Sequence, residues 1–210
     1  MNFAIIFKKL KDYYLVTQWS EHGDQNPFQV LISCILSLRT KDEVTYLASK
    51  RLFNVAKTPL KLSKLSTKQI EKLIYPVGFY ITKSKRIKEI ARLIHKDHNN
   101  QVPNTIEELL KFKGVGRKTA NIVMVYGHNK LAMAIDTHAH RIPNRIGWIK
   151  TKNPEETEFI LRKQLPKKYW FDFNELMVRH GQTICRPISP FCSKCPISKH
   201  CKKVGIEKHR

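Results

Sequence analysis

No run in the sequence approaches the ~20 consecutive apolar residues that a membrane-crossing helix needs. The opening stretch, MNFAIIFKKLKDYY, holds only a brief apolar cluster before lysines intervene. No membrane association is expected, and a cytoplasmic, nucleoid-associated location is the default reading. Acidic residues are also scarce. Seventeen Asp and Glu stand against 39 Lys and Arg, a formal net charge of +22, so the surface must attract polyanions. The excess is spread over residues 8–11, 83–92, 111–118, 162–168 and 194–203, which describes the charged face of a folded body rather than a tail. Charge alone does not separate a nucleic-acid enzyme from a basic protein with well-solvated faces, such as a ribosomal component. Cysteine is nearly missing before residue 185, where Cys34 stands alone. Cys185, Cys192, Cys195 and Cys201 crowd into the C-terminal stretch, a distribution that argues against a disulfide framework and favours metal ligation.

Strand-like alternation is missing too, and the apolar period is helical nearly everywhere. It predicts helices over 3–19, 27–38, 43–53, 67–75, 82–98, 105–111, 117–126, 137–146, 154–164 and 170–182, an all-α protein. The stretch PFQVLISCILSL is apolar nearly all round and is expected to be a central buried helix with Cys34 inside it as a small hydrophobe. Thr40 to Glu43, Ser66 to Gln69 and Asn104 to Glu107 read as capping boxes. Asn153 and Pro154 supply a cap and a first-turn proline for another helix. Repeats and low-complexity linkers are not found, so a second domain must share a close interface with the first.

Between two predicted helices lies Lys113-Gly114-Val115-Gly116, followed by Arg117 and Lys118. Two glycines permit a sharp bend and close approach of a ligand, and the next helix start offers N–H groups and a positive dipole end. This helix-hairpin-helix pattern suits phosphate oxygens without base reading. A plain helix-helix turn also tolerates Gly-x-Gly, but the basic flank favours nucleic acid. By residue type alone, Lys118 reads as a solvated side chain or phosphate contact, and Asp136 as a helix N-cap ahead of 137–146. His138 and His140 receive no catalytic role; His140 is expected to contact backbone or solvent.

GVGRKTANIVM at 114–124 and AIDTHAHRIPNR at 134–145, with the four terminal cysteines, resemble the endonuclease III family of DNA base-excision glycosylases. The likeness extends through LISCILSLRTKD at 31–42, VGFYITKSKRI at 77–87 and HGQTIC at 180–185, almost the whole chain. The resemblance implies a two-lobed helix-hairpin-helix glycosylase fold. One lobe of about six helices would span 22–130, and residues 1–21 with 131–210 would carry an iron-sulfur cluster. It implies a bifunctional glycosylase and abasic-site lyase acting, as a monomer, on oxidised pyrimidines in double-stranded DNA. Lys118 takes the nucleophile's position and Asp136 that of its partner. An amine suits such covalent catalysis, provided partial burial, nearby cations or a helix N-terminus keep it neutral.

A base inside a duplex must be flipped out before its C1′ can be attacked. By resemblance the loops Ser37 to Thr40 and Gly78 to Tyr80 do this. The family commonly has Gln where Arg39 stands and often Leu where Phe79 stands. Phe79 could still wedge between bases, and Arg39 could hydrogen-bond the orphaned partner, preferring guanine. The competing reading of Phe79 is a core anchor closing a helix end.

The spacing C-x6-C-x2-C-x5-C is not the paired knuckle usual for structural zinc. The resemblance implies a [4Fe-4S] cluster on Cys185, Cys192, Cys195 and Cys201, with zinc the other reading. The closed loop would present Lys194 and Lys199 to phosphates. Two rival functions remain at this stage: a monofunctional mismatch or adenine glycosylase of the same superfamily, and a non-catalytic DNA-binding protein.

Overall fold

The computed structural model describes residues 2–15 and 26–210. Among these residues there is no β-strand, and no helix is long and apolar enough to cross a membrane. The chain divides into two compact units, Asp24–Lys130 and Met1–Gly23 with Leu131–Arg210. The boundary expected at 21/22 lies outside the described residues.

The first unit is built around α2 (Pro27–Ser37), started by the Asn26 side chain, which accepts from Phe28 N at 3.0 Å. Phe28, Val30, Leu31, Ile32, Ile35 and Leu36 are all buried, as expected of a helix apolar all round. Truncating a fully buried member such as Ile32 to alanine costs about 2–5 kcal/mol. Around it lie α3 (Asp42–Val55), α4 (Pro59–Lys64), α5 (Thr67–Ile74), α6 (Tyr80–Asp97), α7 (Ile106–Leu109) and α8 (Arg117–Ile122), the last running into a π-turn over Val123–Gly127.

Local signals fix most boundaries, with exceptions. Ser66 and Gln69 form the expected capping box. Thr40 does not cap α3: Lys41 holds that position without a side-chain bond, because the Thr40 hydroxyl is engaged elsewhere. The third expected box shifts by one residue, with Thr105 rather than Asn104 capping α7. The helix α4 was not anticipated, although Thr58 caps it and Pro59 opens it, because six residues are too few to show a period.

In the second unit α1 (Phe3–Tyr14) packs against α11 (Trp170–Thr183), with α9 (Thr137–Ile146) and α10 (Pro154–Gln164) alongside. Left-handed Leu15 ends α1, and residues 16–19 of the longer expected helix lie outside the described residues. Phe7 is the centre of the core, its ring stacked at 4.3 Å on Tyr169 and parallel to Trp148 at 6.1 Å. Lys11 pairs with Asp172, tying α1 to α11 by charge as well as by apolar contact. Gly147 at φ 83 closes α9, where a side chain would be strained.

Candidate nucleic-acid interface and active site

The hairpin is rooted from below and open above. Val115 N–H donates to the Phe112 carbonyl at 3.0 Å, and both side chains are buried. The Val115 side chain therefore anchors the bend, leaving the backbone of the hairpin as the part that can approach a ligand. Lys113, Gly114 and Gly116 are exposed, and Gly114 holds a φ of 89 that only glycine adopts without strain. No side chain caps α8, whose N-cap is Gly116, so the positive end of the helix faces outward beside Lys113 and half-buried Arg117.

Lys118 stands in the first turn of α8 and is exposed, so of the three devices that could keep its amine neutral the helix start is present and burial is not. Its charge reaches Cys34 on α2. Burial pushes that thiol up to about 12 while Lys118 draws it the other way. Cys34 is half-buried rather than wholly inside the core, and it stays in its thiol form.

Arg39 and Phe79 are both exposed, on the loops that precede α3 and α6, and both have left-handed backbones, φ 52 and 58. Phe79 is 63% exposed, which rules out the core-anchor reading. The Arg39 guanidinium lies over the Phe79 ring, 5.8 Å from its centre. Two basic residues that the sequence pattern did not single out support these features. The Arg86 side chain lies against Gly114, and the Lys83 ammonium is buried beneath the Arg39 loop. Both fall in a basic run whose charge was visible but whose inward and outward faces were not.

In the other unit Asp136 is the N-cap of α9. Its Oδ1 accepts from His138 N at 2.9 Å and Ala139 N at 2.8 Å. His138 hydrogen-bonds the Arg141 guanidinium at 2.9 Å, and its ring fills the space beside Gly181. His140 is half-buried and so keeps some contact with solvent, but its ring also bonds a side chain: its Nδ1 lies 2.7 Å from the Thr157 hydroxyl, and burial lowers its pKa.

Cys185, Cys192, Cys195 and Cys201 line one recess among Ile142, Ile146, Ile184 and Ile197, and none is in a disulfide. Among the described residues no group of three or more His, Cys, Asp or Glu stands ready at metal-holding spacing. The donor chemistry nonetheless fits a cationic centre. Burial raises the thiol pKa of Cys192, Cys195 and Cys201, with mutual repulsion between the sulfurs adding to it, Cys195 reaching about 11. A metal removes that penalty by neutralising the thiolates. N–H donors are already aimed at sulfur: Lys203 N to Cys201 at 3.3 Å and Arg145 Nη1 to Cys185 at 3.6 Å. Arg145 also binds the carbonyls of Arg186 and Pro187 at 2.6 and 2.7 Å, strapping the loop, a role that sequence pattern did not reveal. Lys194 and Lys199 are exposed on 3₁₀ turns between these cysteines.

The family model for the HhH-GPD superfamily of base excision DNA repair proteins matches residues 32–167. Endonuclease III of Thermotoga maritima is 49% identical over 179 residues, 85% of this chain and 84% of that protein. The chain belongs to the endonuclease III family. Membership brings DNA glycosylase and abasic-site lyase activity in base excision repair, and it accounts for the all-α helix-hairpin-helix architecture. A chloroplastic endonuclease III homologue of Arabidopsis thaliana is 42% identical over 82% of this chain, which spans about half (47%) of that longer protein. Among solved structures, a trapped endonuclease III–DNA covalent intermediate superposes with a TM-score of 0.83 at 30% identity, covering 93% of this chain and 92% of that one.

Proposed function

We propose that this endonuclease III family enzyme excises oxidised or ring-saturated pyrimidines from duplex DNA, with Lys118 as nucleophile and Asp136 as its partner. The observation that carries the reading is the setting of Lys118: an exposed amine in the first turn of a helix that no side chain caps, directly after a glycine hairpin. The covalent intermediate in the superposed endonuclease III–DNA structure supports an enzyme-bound stage.

The neutral amine attacks the deoxyribose C1′ as the C1′–N bond to the base breaks, and the base departs with a proton. The resulting N,O-acetal opens as its C1′–O4′ bond breaks and O4′ takes up a proton, leaving an imine. Loss of a C2′ proton, acidified by that imine, expels the 3′ phosphate by β-elimination. Water then frees Lys118. Asp136 stabilises the positive charge that develops on the sugar and assists the proton transfers. With its Oδ1 held by two backbone N–H groups, the carboxylate is oriented by the same bonds that cap α9.

Lys113, Gly114, Gly116 and Arg117 grip backbone phosphates, with Val115 holding their bend in shape. Phe79 fills the gap left by the flipped nucleotide and Arg39 contacts the orphaned base. Cys185, Cys192, Cys195 and Cys201 are the residues that would hold a [4Fe-4S] cluster, which would cross-link their loop. Lys194 and Lys199 on that loop meet further phosphates. The enzyme acts as a monomer on duplexes carrying damaged bases or abasic sites, in the nucleoid.

The test is borohydride trapping on abasic duplex DNA. A covalent adduct is expected with the natural protein and none with Lys118→Gln, the variant still binding the duplex. No adduct from the natural protein with its cysteines metallated sinks the lyase assignment. Equal strand cleavage by both forms sinks the role of Lys118.

A further inference from the structure

Lys83 is 4% exposed in a chain whose other cations mostly reach solvent. Its position is electrostatically poor. It lies near the start of α6, where the helix dipole disfavours positive charge, and burial compounds the cost. What it gains is a set of oxygens from elsewhere in the chain. The ammonium donates to the carbonyls of Leu36 at 2.8 Å and Leu38 at 2.5 Å, and to the Thr40 hydroxyl at 3.1 Å. The first two belong to the C-terminal end of α2, which carries no basic residue in its own last turn. Lys83 therefore satisfies the exit of α2 from across the fold.

Thr40 extends this link to the second loop. Its hydroxyl donates to Leu38 O at 3.3 Å and accepts from Lys83 and from Gly78 N, the latter at 3.1 Å. A hydroxyl has one proton and two lone pairs, so Thr40 is saturated. The loops also touch backbone to backbone, since a Cβ on Gly78 would come within 2.7 Å of the Arg39 carbonyl oxygen. Either side of this junction, Arg39 and Phe79 hold left-handed conformations that non-glycine residues keep only when their surroundings over-determine them.

We propose that Lys83 is a positioning residue that, through Thr40, locks the Arg39 loop and the Phe79 loop into one rigid two-pronged element entering the duplex as a unit. The inference rests on the proposed roles of Arg39 and Phe79. It adds that neither prong is set by its own loop. A side chain that touches no DNA fixes their spacing and so couples wedge insertion to contact with the orphaned base.

The test uses the whole metallated enzyme and six variants: Lys83→Met, Thr40→Val, Thr40→Ser, Arg39→Ala, Phe79→Ala and the double variant Lys83→Met with Phe79→Ala. Three readouts are compared: single-turnover excision from lesion duplexes with each opposite base, strand scission at a preformed abasic site in single-stranded DNA, and hydrogen exchange over residues 36–41 and 75–80. Thr40→Val and Lys83→Met are expected to slow duplex excision at least tenfold, to flatten the opposite-base preference, and to speed exchange in both loops together. Single-strand scission should stay within about twofold, and Thr40→Ser, which keeps the hydroxyl, should behave as the natural enzyme. Lys83→Met combined with Phe79→Ala should be little worse than Phe79→Ala alone. If Lys83→Met does not fold, Thr40→Val decides. Full duplex activity and unchanged base preference in folded Thr40→Val overturn the strut while leaving the prongs standing. Unchanged excision by Arg39→Ala and Phe79→Ala removes the prongs, and the strut falls with them.

Discussion

The Arg86 side chain occupies the space where Gly114 lacks one: a Cβ at position 114 would meet Arg86 Cδ and Nε at 2.5 Å. Helix α6 thereby supplies a guanidinium to the hairpin loop itself, in an open groove shared with Thr82, Lys85 and Lys113. Arg86→Ala is expected to weaken binding to an abasic duplex several-fold and to lower the slope of log affinity against log salt by about 0.9, the share of one phosphate contact. Fluorescence anisotropy across a salt series checks it; an unchanged slope would show that Arg86 only packs.

Gly114→Ala should do more damage. It combines a φ of 89 with that collision. The expected stability loss is about 1–3 kcal/mol, measured by urea unfolding, with a larger proportional loss in DNA affinity than Arg86→Ala because the whole bend is displaced.

Asp136 has two roles that substitution can separate. Asparagine keeps an oxygen for the N–H groups of His138 and Ala139, whereas alanine does not. Asp136→Ala is therefore expected to lose about 0.5–2 kcal/mol of stability along with excision. Asp136→Asn should melt close to the natural protein yet excise far more slowly, since it cannot oppose a cationic sugar. Equal activity of the Asn variant and the natural enzyme would leave Asp136 as a cap only.

Burial, with the charge of Arg86 behind it, pushes the Lys83 ammonium down from 10.5 to about 8. The unfolded chain holds that proton to about 10.5, so between the two values the unfolded state binds more protons and stability rises with pH. The contribution is fully present above pH 10.5 and is lost as pH falls through 8. The stability of the natural protein relative to Lys83→Met should accordingly climb by about 1 kcal/mol per pH unit over pH 8–10. Denaturant titrations at pH 7, 8, 9 and 10 measure it, and a flat difference would mean that the ammonium is not desolvated.

Replacing one ligand candidate, Cys195→Ala, should remove bound iron and its visible absorbance and lower the melting temperature. Affinity for undamaged duplex should fall because Lys194 and Lys199 lose their fixed positions. Metal analysis of the natural protein also separates iron from zinc.

The sequence by itself determined what depends on neighbours along the chain. Helical periods, the Ser66 and Asn153 caps, the glycine bend and the cysteine spacing are short-range properties, and they were legible residue by residue. Tertiary structure alone decided which members of repeated residue types are special. Lys83 and Arg86 sit three residues apart in one basic run, yet one is buried against a carbonyl 47 residues earlier and the other lies on the hairpin. Thr40 reads as a cap and serves as a junction, because Gly78 N–H and the Lys83 ammonium both donate to its hydroxyl. By residue type Phe79 suits a wedge or, as the competing reading, a core anchor, and only its exposure separates the two. The physical reason is the same in each case: desolvation and hydrogen-bond partnership are set by groups distant in sequence, and neither leaves a local pattern.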